Sequence, residues 1–255
     1  MTMALFQQTL KALISQAYSL FSVYHLNDAQ DLDACRCPLC LSDEQHTHLK
    51  TTALAYIDHT IFMCYANLST LQDQTPLNEF KYFLPLFLDL MVQNDNVWQL
   101  EGYFFQRMTS YTAEDWTVEE LTFLQQFAEM YVQYALCDED NVVFTPIERL
   151  LEQFHVDAFD TEKLAMLCLH HPSAYCLIDY ATQIVNHGYD DFEDPEDDLY
   201  AERVKNILLP WKYDSAIRQH FIDQYHHFKA KGHLFDEGNA NWVQEWIAGV
   251  QQGKY

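Results

Sequence analysis

Apolar residues recur along this chain at intervals of three and four. Phe6, Leu10, Leu13, Ile14, Ala17, Phe21 and Tyr24 share one side of a helical projection, and Gln7, Gln8, Lys11, Ser15 and Ser19 fill the other. That pattern predicts an amphipathic helix over 3–25. Ser42 and Gln45 form a capping-box pattern that opens a short helix towards Lys50. A further helix is expected over 53–69. Thr75-Pro76 is a start signal for a helix running to Gln93, with Pro85 inside it as a kink. Asp95 caps a helix that ends near Met108. Thr117 and Glu120 make a second capping box and open a long helix to Cys137. Thr145-Pro146-Ile147-Glu148 starts a helix through Phe154.

The remaining periodic stretches are 161–170, 173–187, 196–209, 213–230 and 239–251. Gly188, Gly232 and Gly253 stand where C-terminal caps belong. No stretch of useful length alternates strictly. The expected fold is therefore all-α, an irregular array of antiparallel helix pairs of which an α-solenoid-like curl is one form. No repeat of fixed period is visible.

Composition supports this reading. Six Gly and seven Pro in 255 residues leave little material for the many turns of a sandwich or barrel. Apolar residues make up 49% of the chain, enough for a sizeable core and too many for an acidic disordered tail. Seven scattered Cys point to a reduced, cytosolic protein and not to a disulfide scaffold. No apolar run reaches the length of a membrane span, and the N-terminus lacks the basic start and cleavage site of a signal peptide.

Charge narrows the function classes. Thirty-eight acidic residues face fourteen basic ones, a formal net charge of −24. A nucleic-acid backbone punishes such an excess, whereas a basic protein partner is favoured by it. Carboxylates recur in the first turns of helix after helix, where they complement the dipole. The one true concentration is Asp190, Asp191, Glu193, Asp194, Glu196, Asp197 and Asp198. This segment separates an expected main domain over 1–188 from a C-terminal helical subdomain over 189–255. It lacks the alternating ligands and central Gly of a calcium loop. It reads as a solvated linker or as the surface that docks a basic partner.

Three constellations bear on chemistry. Cys37 and Cys40 form a C-P-L-C knuckle, and Cys35 and His46 could complete a structural zinc site. Free thiols in a tight turn and redox chemistry are the other readings of these cysteines. His220, Asp223 and His227 share one face of a predicted helix, a spacing that suits a metal or an ordinary polar surface. Arg149 and His155 match the loose R-x(4–6)-H signature of helical ribonucleases of the HEPN type. Five Arg and twelve His produce roughly one such spacing by accident, and Leu150 departs from that family's polar residue. No catalytic residue is assigned. The aromatic groups Tyr82-Phe83, Tyr103-Phe104-Phe105 and Trp242 with Trp246 fall within apolar stripes and read as core.

Cys37-Pro38-Leu39-Cys40, Leu49-Lys50-Thr51-Thr52-Ala53-Leu54 and Glu79-Phe80-Lys81-Tyr82-Phe83-Leu84-Pro85 together carry a resemblance. The pattern is similar to that of a widespread bacterial family of helical cytosolic proteins, with a C-x-x-C knuckle followed by an F-[KR]-[HY]-F-L-P helix. The likeness spans about a fifth of the chain, and Leu86 stands where that family usually has Arg. It implies a helical bacterial protein with no established activity.

The expected function is that of an acidic cytosolic binding protein that neutralises a basic partner, most sharply an immunity protein inhibiting a toxin. The alternatives are a helical scaffold with a structural zinc knuckle and a metal-dependent or helical-ribonuclease-like enzyme. No cofactor is expected, with a structural zinc at the cysteine knuckle as the alternative.

Overall fold

The computed structural model describes residues 3–26, 32–34, 41–67, 76–93, 111–137, 147–154, 156–171, 199–232 and 237–252. They form ten α-helices with short 3-10 turns between some of them, and no strand occurs among the described residues. The chain is all-α, as the periodicity predicts. In order the helices are α1 (Met3–Leu20), α2 (Asp43–Thr51), α3 (His59–Asn67), α4 (Leu77–Gln93), α5 (Val118–Cys137), α6 (Ile147–Glu152), α7 (Thr161–His170), α8 (Leu199–Tyr213), α9 (Ser215–Ala230) and α10 (Glu237–Gln251). None of the described helices is long and apolar enough to cross a membrane.

Two compact units divide the chain. The first comprises residues 1–131 and 156–159, and the second 132–155 and 160–255. The expected boundary at 188/189 lies outside the described residues.

In the first unit, α1 packs on α4, and α2 packs on α3. The apolar face of α1 is buried as its periodicity requires: Phe6, Leu10, Leu13, Ile14, Ala17 and Phe21 are all in the core. The last turn of this segment, Phe21–Val23, tightens to 3-10 before the chain becomes extended at Tyr24. Helix α4 is the centre of the unit. It is buried on nearly every side, from Phe80 through Pro85 to Met91. Each large side chain removed from water in this way contributes about 1.5–3 kcal/mol. Pro85 sits inside α4 and lacks the N–H of an ordinary helical residue. Phe62, Tyr65 and Phe83 pack ring on ring at 4.8–5.9 Å beside it.

In the second unit, α8 packs on α6, α7 and α9, and α6 packs on α7. Local signals explain the ends of these helices. Asp160 caps α7 by accepting from Lys163 N–H at 2.9 Å. Asp214 caps α9 by accepting from Ala216 and Ile217 N–H at 2.7 and 3.1 Å. Gly232 follows α9 with φ +77°, the left-handed conformation that a C-terminal cap uses and that disfavours a Cβ.

Two boundaries differ from expectation. The helix expected over 53–69 begins as α3 only at His59, after a 3-10 turn at Leu54–Tyr56. The sequence places a helix end at 209, just before Pro210, but α8 continues to Tyr213. Proline removes only its own donor and crowds the preceding turn. Burial of Trp211 and a bond from Asp214 N–H to the Pro210 carbonyl at 2.9 Å hold the final turn in place. The expected helices over 95–108 and 173–187 lie outside the described residues, as do Gly188 and Gly253.

Candidate functional site

The chemistry-bearing side chains best defined by the structure lie on α4, in the Glu79-Phe80-Lys81 stretch. Lys81 is buried in the core of the first unit. Its ammonium donates three hydrogen bonds: to Glu120 Oε2 at 2.9 Å, to the Asp115 carbonyl at 2.7 Å and to Tyr24 Oη at 3.1 Å. Three donors meet three acceptors, so the charge is fully satisfied. The Tyr24 and Trp116 rings flank the same nitrogen, with centroids 5.0 and 4.5 Å away, and add cation–π attraction.

Glu120 is equally committed. It accepts from Tyr24 Oη at 2.6 Å, from Thr117 N–H at 2.7 Å and from Lys81. Burial alone would push this carboxyl's pKa up, but the bonds from Tyr24, Thr117 and Lys81 outweigh it and hold the group below its ordinary range. Burial pushes the Tyr24 phenol well above its usual value, and the neighbouring Glu120 carboxylate adds to the rise. Thr117 and Glu120 make the capping box expected from sequence, with Glu120 N–H donating back to Thr117 Oγ1 at 3.2 Å. The same carboxylate thus starts α5 and neutralises a lysine from α4.

Two positions before Lys81, Glu79 is buried as well. Its Oε1 accepts from Asp33 N–H at 2.9 Å and from Tyr65 Oη at 2.7 Å. The Glu-Phe-Lys stretch therefore ties the segments at Tyr24, Asp33, Tyr65 and Glu120 to one helix. Its charges are enclosed, Lys81 against Glu120 and Glu79 against Asp33 N–H and Tyr65 Oη.

The second unit holds a more open feature. A cleft of about 660 Å³ lies between α7 and α8, with Asp160, Glu162, Met166, Ile207, Pro210 and Trp211 in its walls. Arg203 and Asn206 also line it. On α9, His220 Nε2 lies 3.0 Å from the Leu169 carbonyl at the end of α7, and its ring meets His170 edge to face at 5.7 Å. Asp223 accepts from Gln219 and is exposed. His220 is thus turned to a backbone carbonyl, and no group of three His, Cys, Asp or Glu that could hold a metal occurs among the described residues. Cys137 Sγ lies 3.6 Å from His171 Nε2, and burial pulls that imidazole's pKa down.

The residues singled out from sequence fare unevenly. His46 lies buried on α2. Its expected co-ligands Cys35, Cys37 and Cys40 lie outside the described residues, and so does the whole acidic run Asp190, Asp191, Glu193, Asp194, Glu196, Asp197 and Asp198. The side chain of Arg149 and all of His155 are likewise outside them. Of the aromatic groups, Phe83 and Trp246 are core residues and Tyr82 is half-buried.

Comparison of the chain with protein-family models, with curated proteins and with solved structures finds no match.

Proposed function

We propose that this chain is an acidic cytosolic binding protein that neutralises a basic protein partner, most sharply a bacterial immunity protein that covers the active site of a toxin. The observation that carries the reading is the distribution of charge. The chain has a formal net charge of −24. Its described carboxylates stand largely on the exterior: Asp43, Glu44, Asp58, Glu114 and Glu119 in the first unit, and Glu162, Asp214, Asp223 and Glu245 in the second. Lys81, one of only fourteen cations, is buried against Glu120 and offsets none of this surface. Such a field steers a basic partner into encounter and suppresses acidic competitors. The run Asp190–Asp198 adds the densest local charge for this purpose.

The test pairs the protein with the basic product of a neighbouring gene in its source organism. Association should slow by more than about tenfold between low and physiological salt, as steered encounter requires. Converting the seven carboxylates of 190–198 to their amides should slow association and leave dissociation nearly unchanged. If no neighbouring gene encodes a basic protein and none co-purifies from the host, the reading fails.

A further inference from the structure

A thiol and an imidazole at two helix ends of the second unit are aimed at each other. Cys137 closes α5 and His171 follows α7, and both belong to that unit. Cys137 Sγ lies 3.6 Å from His171 Nε2, within hydrogen-bond reach for sulfur. The backbone places the ring: His171 N–H donates to the Cys168 carbonyl at 3.3 Å and fixes the turn that carries it. The other ring nitrogen, Nδ1, is buried and has no hydrogen-bond partner among the described residues. The thiol is therefore the polar partner to which this ring is directed.

A sulfur nucleophile with a base within reach has the parts of an activated thiol. Cys137 stands at the C-terminal end of α5, where the partial negative charge of the helix opposes a standing thiolate. The formal charge of −24 opposes it as well. The proton must then leave as the sulfur reacts. Burial pulls the His171 pKa down, so the ring is neutral at pH 7 and has a lone pair to receive that proton. A ring that carries its hydrogen on Nε2 donates it to the sulfur instead, which favours the same developing charge. Access is graded among the described cysteines: Cys137 and Cys64 are part-exposed, and Cys168 is buried.

We propose that Cys137 is a modification site for hydroperoxides, with His171 as the base that takes its proton. The sulfur attacks the nearer peroxide oxygen, and the S–O bond forms as the O–O bond breaks. The thiol proton passes to His171 Nε2 and then to the departing oxygen, which leaves as water or an alcohol. The sulfur loses two electrons and the peroxide gains them, so the thiol ends as a sulfenic acid. That product is reversible by thiols, and it adds an oxygen where the ends of α5 and α7 meet. Cys137 carries this chemistry whether or not the chain binds a basic protein.

The reduced full chain is exposed to dilute hydrogen peroxide with dimedone present, and adducts are read cysteine by cysteine by mass spectrometry. Cys64 is the internal reference, a part-exposed thiol with no hydrogen bond to an imidazole among the described residues. Cys137 should be trapped about tenfold faster than Cys64 or more, a modest share of what a positioned base contributes. His171→Gln keeps a polar side chain but no base, and should bring the Cys137 rate to within about threefold of Cys64. Cys168 stays untrapped in a variant whose fold is intact, and His171→Asn takes the place of His171→Gln if Cys168 becomes reactive. Trapping of Cys137 no faster than Cys64 in the unaltered chain would overturn the proposal. So would a Cys137 rate that loss of the imidazole leaves unchanged.

Discussion

Lys81 Nζ and Glu120 Oε2 are 2.9 Å apart, with side-chain exposures of 2% and 3%. A charge pair so enclosed stabilises only while both members are present, since each supplies the solvation the other has lost. Lys81→Met should therefore destabilise the first unit by about 3–5 kcal/mol, because it strands the Glu120 carboxylate. The double variant Lys81→Met/Glu120→Leu should cost less than the sum of the two single changes. Urea midpoints for the full cycle check this, and simple additivity would show that the pair is not coupled.

Acid should act through the same carboxylate. The folded pKa of Glu120 is held below its ordinary value. The stability it contributes is present above the unfolded value of about 4.3 and is lost as pH falls through the lower folded value. Denaturation midpoints should drop between about pH 5 and pH 3 in the native chain and flatten in Glu120→Gln. An unchanged slope in the variant would assign the acid sensitivity elsewhere.

Glu79→Leu removes the acceptor of both Asp33 N–H and Tyr65 Oη. Loss of this shared buried acceptor should cost about 1–3 kcal/mol, whereas Glu79→Gln keeps one acceptor oxygen and should cost less. Thermal melts of the two variants, with the glutamine at least as unstable as the leucine, would contradict the assigned role.

Local caps give smaller effects. Asp214→Ala deprives Ala216 and Ile217 N–H of their acceptor and should cost about 1 kcal/mol. Gly232→Ala meets no atom within 4 Å, so its penalty is that of the left-handed backbone alone, about 1 kcal/mol. Equilibrium unfolding resolves both, and a neutral Gly232→Ala would mean the turn relaxes.

Features written in neighbouring residues were readable from the sequence. Ser42 and Gln45 form the expected reciprocal pair, with bonds of 2.8 and 3.2 Å. Thr117 and Glu120 do the same, since three residues of spacing decide the geometry. The inward stripe of α1 follows from its period in the same way. What the sequence concealed is the fate of Glu79 and Lys81, which read only as part of a resemblance. Their partners Tyr24, Asp33, Asp115 and Glu120 lie 34 to 57 residues away, beyond any local pattern. One signal was available. Between Phe80 and Leu90 the helix carries apolar side chains around nearly its whole circumference. A helix of that kind is enclosed, and its few charges must be enclosed with it. The cleft between α7 and α8 gave no signal, because it depends on how two helices meet.

The spread of Lys81's contacts has a kinetic side. Its bonds to Tyr24, Asp115 and Glu120 close chain separations of 57, 34 and 39 residues. Joining segments so far apart costs loop entropy before any contact rewards it. The ammonium and the carboxylate gain by leaving water only once the surrounding rings are in place to enclose them. We infer that this cluster locks last, after α1 and α4 have found each other. A late lock acts as a latch: loosening it speeds escape from the folded state and barely alters the approach. In a chevron, Lys81→Met would then raise the unfolding limb and leave the folding limb in place, and a matching drop of the folding limb would put the cluster in the nucleus instead.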